Sequence, residues 1–133
     1  MAANIRQNIL EVLLLISNKE LQVSYQKSMR HVTMPYELLG LWDSEYFPED
    51  KDFKKSFHKK EKEALADFHK IFEEIQNEPD YYVPDIEYFL KTSSWKRFSE
   101  AANTTLKAFL EKEKELARKD LLAEHMKESA LHF

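Results

Sequence analysis

The chain contains no cysteine and only one glycine, Gly40, in 133 residues. The absence of cysteine excludes disulfides, thiolate nucleophiles and cysteine-ligated metal sites. A single glycine excludes glycine-rich phosphate-binding loops, which need several glycines at fixed spacing. Sheet proteins also use glycine in hairpin turns and bulges, so its scarcity favours an almost entirely helical chain.

Long hydrophobic runs are also missing. The apolar run at residues 9–16 contains Glu11 and is much shorter than the roughly 20 residues of a membrane span. No small-residue cleavage pattern follows it, so a signal peptide is not indicated. We expect this run to form a core helix of a cytoplasmic protein without a membrane segment.

The apolar residues recur at spacings of three, four and seven, the pattern of amphipathic helices. This pattern predicts an all-α, single-domain helical bundle of about four to six helices, with helix exceeding about 60% of residues. We expect residues 43–52 to be a loop. The predicted helices cover residues 4–28 (kinked or divided at Ser17 and Asn18), a short segment capped by Thr33, residues 59–76, a segment beginning at Pro84, and a long helix capped by Ser93 or Ser94 and running through Phe109.

The last part of the chain, residues 111–133, is dominated by charge. Two interpretations are open for it. Leu116, Leu121, Leu122 and Met126 could form a narrow packing stripe, or the segment could be a helix that protrudes from the domain.

Two acidic segments carry most of the aromatic residues that lie outside the predicted core. Residues 36–52 hold six carboxylates and one lysine, and residues 71–90 hold six carboxylates without any lysine or arginine. Residues 53–70, between them, are rich in lysine. Because nucleic-acid affinity depends on positive charge, this acidic distribution argues against a nucleic-acid ligand and favours a basic protein partner. RNA binding through the lysine-rich residues is a minor alternative.

The sequence gives no pattern typical of catalysis. The five histidines do not occur in the spacings of helical metal sites, and the acidic segments lack the glycine of calcium loops. No serine stands in a glycine-flanked nucleophile turn. We therefore expect no enzyme activity, no catalytic residues, no cofactor and no metal.

We predict that the acidic, aromatic segments form a partner-binding surface. Its carboxylates would attract the partner and its tyrosines would anchor it. The competing interpretation is that Lys54, Lys55 and Lys59 neutralise these segments within the chain. The predicted surface consists of Asp43, Glu45, Tyr46, Glu49, Asp50, Glu78, Asp80, Tyr81 and Tyr82.

Residues 34–76 (beginning MPYELLGLWDSEYFPEDKD), and more loosely residues 94–109, resemble small all-helical immunity proteins of bacterial contact-dependent inhibition and polymorphic-toxin systems. The shared features are a leucine-tryptophan helix, an acidic Tyr-Phe-Pro loop and a helix of Ala-Leu-x-x-Phe type. The resemblance implies a protein, monomeric or weakly dimeric, that neutralises a cognate toxin domain, commonly a nuclease, by covering its basic active site.

Two other functions fit the same sequence. A non-catalytic adaptor or structural subunit would use its long C-terminal helix to pack against another chain. A small metal-dependent enzyme would use the abundant carboxylates, although none of them has a recognisable ligand spacing.

Overall fold

The structure, a computed structural model, describes residues 4–131, with side chains as far as residue 123. It is all-helical, with 78% helix and no strand in this part of the chain. The predicted class and helix content are confirmed, but residues 4–131 form eight α-helices in place of the four to six expected. They are α1 (Ile5–Ser17), α2 (Lys19–Ser28), α3 (Met34–Glu45), α4 (Lys51–Ser56), α5 (Lys59–Gln76), α6 (Ile86–Phe89), α7 (Ser93–Leu106) and α8 (Glu111–Leu131), with a 3₁₀ turn at Pro79–Tyr81.

The additional helices lie in two segments where the structure differs from the prediction. The predicted loop at residues 43–52 is shorter, because α3 continues to Glu45 and Asp50 caps α4 by accepting a bond from the backbone N–H of Phe53 (3.1 Å). The predicted last helix is divided after Leu106, where buried Phe109 holds the turn before α8. A side-chain cap such as that of Asp50 allows a helix to begin soon after another has ended.

The boundary between α1 and α2 lies at Asn18, as expected. Its backbone is extended, and its side chain caps α2 by accepting a bond from the N–H of Leu21 (3.0 Å). Buried Gln22 then donates to the carbonyls of Leu15 and Ile16 at the end of α1 (2.9 and 3.1 Å). Its side-chain oxygen accepts the indole N–H of Trp95 in α7 (3.0 Å). One glutamine therefore satisfies a helix end inside the core, where unpaired carbonyls would be costly.

Helix α1 lies at the centre of the fold. It packs against α2, α3, α7 and α8, and its residues 9–16 are buried except for Glu11, which is partly so. The hydrophobic run therefore forms a core helix, as its sequence predicted. No helix among residues 4–131 combines the length and apolar character needed to cross a membrane.

A chain of aromatic contacts joins α3, α5 and α7. Trp42 of α3 meets Phe68 of α5 edge-on, with ring centroids 4.6 Å apart. Phe68 stacks on Phe98 of α7 at 5.5 Å, and Phe98 contacts Tyr81 of the 3₁₀ turn at 5.9 Å. Because such pairs add about 0.5–1.5 kcal/mol each to the burial of their area, they hold α3 against α5 firmly.

The first half of α8 packs on the bundle, against α1 and α2. Ala117 and Leu121 are buried and Leu122 is partly buried, whereas Leu116 is exposed. The side chain of Met126, the fourth member of the predicted stripe, lies outside the described side chains. The buried face of α8 is therefore displaced from the predicted one, with Ala117 in place of Leu116.

Arg6 connects four parts of the fold. Its guanidinium donates to both carboxylate oxygens of Glu61 at the start of α5 (2.7 and 2.8 Å), and to Glu113 of α8 and the carbonyl of Ser56 at the end of α4 (2.8 Å). Burial alone would raise the pKa of Glu61, but the hydrogen bonds from Arg6 and from the backbone N–H of His58 keep that pKa below its ordinary value. The charged forms of both partners are thus favoured in the folded protein.

We expect Glu61→Gln to lower the free energy of unfolding by about 2–3 kcal/mol, because Arg6 then loses the charge of its most buried partner. The lowered pKa of Glu61 means that its stabilisation is present above about pH 4.3, the pKa of an unfolded glutamate, and is lost as the pH falls through the lower folded value. The variant should therefore lose less stability than the wild type on acidification.

Urea denaturation over a series of pH values measures both effects. The matched control is Glu111→Gln. The Glu111 carboxylate is exposed, and its ion pair with Lys114 within one helical turn should contribute less than about 0.5 kcal/mol. Equal losses for the two variants would contradict the connecting role of Arg6 and Glu61.

Candidate binding surface

The predicted residues lie near opposite ends of α3. The 3₁₀ turn adjoins its N-terminal end, where the hydroxyl of Tyr81 donates to the carbonyl of Pro35 (2.8 Å) and Tyr82 contacts Tyr36 (5.1 Å between centroids). Tyr46 and the acidic loop follow its C-terminal end. Twelve helical residues span about 18 Å. The predicted residues therefore form two groups, separated by the length of α3.

Tyr81 is a core residue, contrary to the prediction that it anchors a partner. Its side chain has no exposed area, and it packs edge-on against Phe89 and Phe98. Burial raises the pKa of its hydroxyl, which is satisfied by the Pro35 carbonyl. The sequence could not distinguish Tyr81 from Tyr82, because neither residue lies in a regular helix where spacing indicates the buried side.

Glu78 and Asp80 are paired within the chain. Ser94 contacts both carboxylates through its hydroxyl, and Ser93 donates to Asp80 (3.1 Å). Arg97 of α7 donates to Glu78 (2.5 Å) and also pairs with Glu74. The hydrogen bond from Ser94 lowers the pKa of Asp80. These carboxylates thus attach the 3₁₀ turn to α7.

The neutralising cation at this end is Arg97, not one of the three lysines predicted for this role. It lies 19 residues from Glu78 and in a different helix, so no local spacing connects the two. Of the three lysines proposed for this role, only Lys54 forms an ion pair in the described part of the chain, with Glu49 at 3.6 Å. Both side chains are largely exposed, so this pair is weak.

Asp50 and Glu45 also have positions that limit their contact with a partner. Asp50 is exposed but serves as the N-cap of α4. Glu45 is half-buried. It lines a cavity of about 200 Å³ between α3, α1 and α8, together with Asn8, Glu11 and Leu121. Of the predicted carboxylates, Asp43 and Glu49 are therefore the ones that are exposed without such a structural role. Tyr46 and Tyr82 are partly exposed, and the hydroxyl of Tyr82 donates to the carbonyl of Gln76 (2.5 Å).

The exposed side of α3 carries further residues that the sequence analysis did not select. Tyr36 is 62% exposed and Phe47, just beyond the helix, is 54% exposed. Tyr36, Gly40 and Asp43 share one side of α3, because they are four and three residues apart. Glu73, exposed on the adjacent α5, borders this side through His69, which contacts Tyr46. We call this set the α3 face: Tyr36, Gly40, Asp43, Phe47, Glu49, Glu73 and Tyr82.

Gly40 occupies the middle of the α3 face. It lies inside a helix, its φ is negative, and a Cβ built on it would meet nothing within 4 Å. Glycine in a helix interior is less favourable than alanine by about 0.8–1.0 kcal/mol. Neither backbone conformation nor packing in the described structure requires this residue. Its position leaves the backbone of α3 accessible between a tyrosine and an aspartate.

The described residues contain no group of three or more histidine, aspartate or glutamate side chains arranged to hold a metal ion.

Comparisons of the chain with protein-family models, with curated proteins and with solved structures gave no match. The α3 face is therefore interpreted from its own chemistry.

Tyr81→Phe should lower the free energy of unfolding by about 0.5–1.5 kcal/mol, because it removes the buried hydrogen bond from the Tyr81 hydroxyl to the carbonyl of Pro35. The same change at exposed Tyr36 should alter the free energy of unfolding by less than about 0.5 kcal/mol. Chemical denaturation of the two variants measures the difference. A neutral Tyr81→Phe would show that Tyr81 is not held in the core through its hydroxyl.

Proposed function

We propose that the protein is a stoichiometric inhibitor, an immunity protein that binds a basic toxin domain in the bacterial cytoplasm through the α3 face. The observation that carries this proposal is the combination of exposed aromatic rings with exposed carboxylates around Gly40. Aromatic rings supply contact area at low entropic cost, and carboxylates attract a basic surface. We place the toxin among nucleases, because an active site that binds phosphates is itself basic.

The charge of the α3 face supports this choice of partner. Asp43 and Glu73 are exposed and, within the described residues, neither pairs with a lysine or arginine. Glu49 is 93% exposed and only weakly paired. Like charges near one another repel, and a basic partner would relieve that repulsion. The 3₁₀-turn carboxylates contribute less, because Arg97, Ser93 and Ser94 already compensate them.

Gly40 supports close contact at the centre of the face. Without a side chain, it allows the backbone or a flat side chain of the partner to approach α3 directly. Tyr36 and Tyr82, in contact beside it, would border the approaching segment, while Asp43 would accept hydrogen bonds from its lysines or arginines. We infer that the partner contributes an extended or helical segment that crosses α3 at Gly40.

The adaptor function has less support from the same observations. It depends on an apolar face of α8 that is available to another chain, whereas Ala117 and Leu121 are buried against this chain's own helices.

The proposed inhibition is tested by co-expression with the toxin domain encoded beside its gene. The protein should restore growth and should be isolated with the toxin domain in a complex of defined stoichiometry, in which the active site of the toxin is blocked. A soluble toxin domain that neither binds this protein nor is inhibited by it would contradict the proposal.

Removing three carboxylates from the α3 face should slow association with that toxin domain. For Asp43→Asn, Glu49→Gln and Glu73→Gln together, we expect the association rate constant to fall about tenfold or more at low salt, with little change in dissociation. Added salt should reduce the difference between variant and wild type, because exposed charges are screened. Stopped-flow kinetics measures both rates.

The control for the triple variant has the same change in net charge elsewhere. Glu20, Glu87 and Glu100 are exposed on α2, α6 and α7, and replacing them together by glutamine should change the association rate less than about twofold. If the two triple variants associate equally slowly, only the net charge acts, and the α3 face is not the binding surface.

Gly40→Ala should stabilise the free protein and weaken the complex. We expect the free energy of unfolding to rise by about 0.5–1 kcal/mol, because the helix gains a better helix former at an open position. The added methyl group should increase the dissociation rate if the partner contacts the backbone of α3. The control Asn103→Ala, at an exposed position inside α7, should also raise stability but leave dissociation unchanged. Unchanged dissociation in Gly40→Ala would contradict close approach at this point.

A further inference from the structure

His69 of α5 forms a hydrogen bond with the most deeply buried indole of the core. The side chain of Trp42 has no exposed area, and its Nε1–H donates to Nδ1 of His69 at 3.1 Å. An indole nitrogen can only donate, so Nδ1 of His69 must hold a lone pair. The neutral ring therefore carries its proton on Nε2, which lies 3.5 Å from a carboxylate oxygen of Glu73. Trp42 thereby selects one tautomer of His69.

The groups around the ring are mostly aromatic. Tyr46 from α3 stands 4.8 Å away and Phe72 from α5 stands 5.3 Å away, centroid to centroid. Of the titratable groups that face it, Glu73 belongs to α5 and Tyr46 belongs to the end of α3. Burial and nearby Glu49 raise the pKa of Tyr46, which favours its neutral form. Helix α4 contributes Phe53, which contacts Tyr46.

We propose that His69 is a pH-dependent latch, which ties Trp42 of α3 to α5 in its neutral form and releases Trp42 when it is protonated. A proton on Nδ1 would face the indole N–H, and two donors cannot share one hydrogen bond. Protonation would therefore leave the buried indole N–H without its acceptor. At the same time, the protonated ring would form an ion pair with exposed Glu73, so the ring gains a partner while Trp42 loses one.

The protonation of His69 would affect the α3 face through Trp42 and Tyr46. Tyr46 stacks on Trp42 at 4.7 Å, and the acidic loop begins directly after Tyr46. Release of Trp42 would therefore loosen the loop that carries Phe47 and Glu49. The latch follows from hydrogen bonds inside this chain, so it is independent of the proposed toxin partner and can be tested on the free protein.

The second tryptophan provides an internal control. Trp95 also donates its indole N–H inside the core, but to Gln22, whose amide does not titrate. ¹⁵N NMR of the ring nitrogens at about pH 8 should show His69 with its proton on Nε2 and a bare Nδ1. Between about pH 8 and 5, the range in which histidines ordinarily change charge, the Trp42 indole signal should move with His69 while the Trp95 signal stays in place.

Hydrogen exchange and one substitution complete the test. On acidification, exchange of the Trp42 indole hydrogen should rise at least about fivefold relative to that of Trp95. His69→Gln offers Trp42 an amide acceptor like that of Gln22 and should abolish this pH dependence, whereas His31→Gln, at an exposed turn, should leave it intact. A His69 ring with its proton on Nδ1, equal responses of the two indoles, or a pH dependence that persists in His69→Gln would each overturn the proposal.

Discussion

The guanidinium of Arg6 is the interaction on which the arrangement of the helices depends. Its donors are shared between Glu61, Glu113 and the carbonyl of Ser56, and its Cζ atom lies 5.4 and 5.5 Å from the ring centroids of Phe57 and Phe109. An arginine can serve so many partners because its five N–H groups are held in one plane. The central helix is thereby joined to the end of α4, the start of α5 and the first turn of α8.

The position of α5 has consequences further along its length. Glu61, which binds Arg6, also accepts the backbone N–H of His58 and so helps to define where α5 begins. From that start, about two and a half to three turns bring Phe68 and His69 to Trp42 of α3. The aromatic contacts and the Trp42–His69 hydrogen bond then hold α3 in place. The orientation of the α3 face thus follows from a charged cluster at the other end of α5.

The distribution of charge separates structural carboxylates from those available to a partner. Glu61, Glu78, Asp50 and Asp80 each bind a group within the chain, as ion pairs, caps or hydrogen-bond acceptors. Asp43, Glu49 and Glu73 are exposed to solvent, as are Tyr36 and Phe47. The carboxylates that are paired within the chain stabilise the fold, and the exposed carboxylates are the ones that can attract a basic partner.

The sequence by itself determined the helical class, the core role of residues 9–16, the division at Asn18 and the extent of α5, because apolar spacing, glycine scarcity and capping side chains act over a few residues. It could not determine the partners of Arg6 and Arg97, the burial of Tyr81 or the α3 face. Those depend on contacts between residues as far as 107 positions apart, and on which side of a turn faces the core. Only the tertiary structure decides them, since local spacing carries no information about which distant side chains meet.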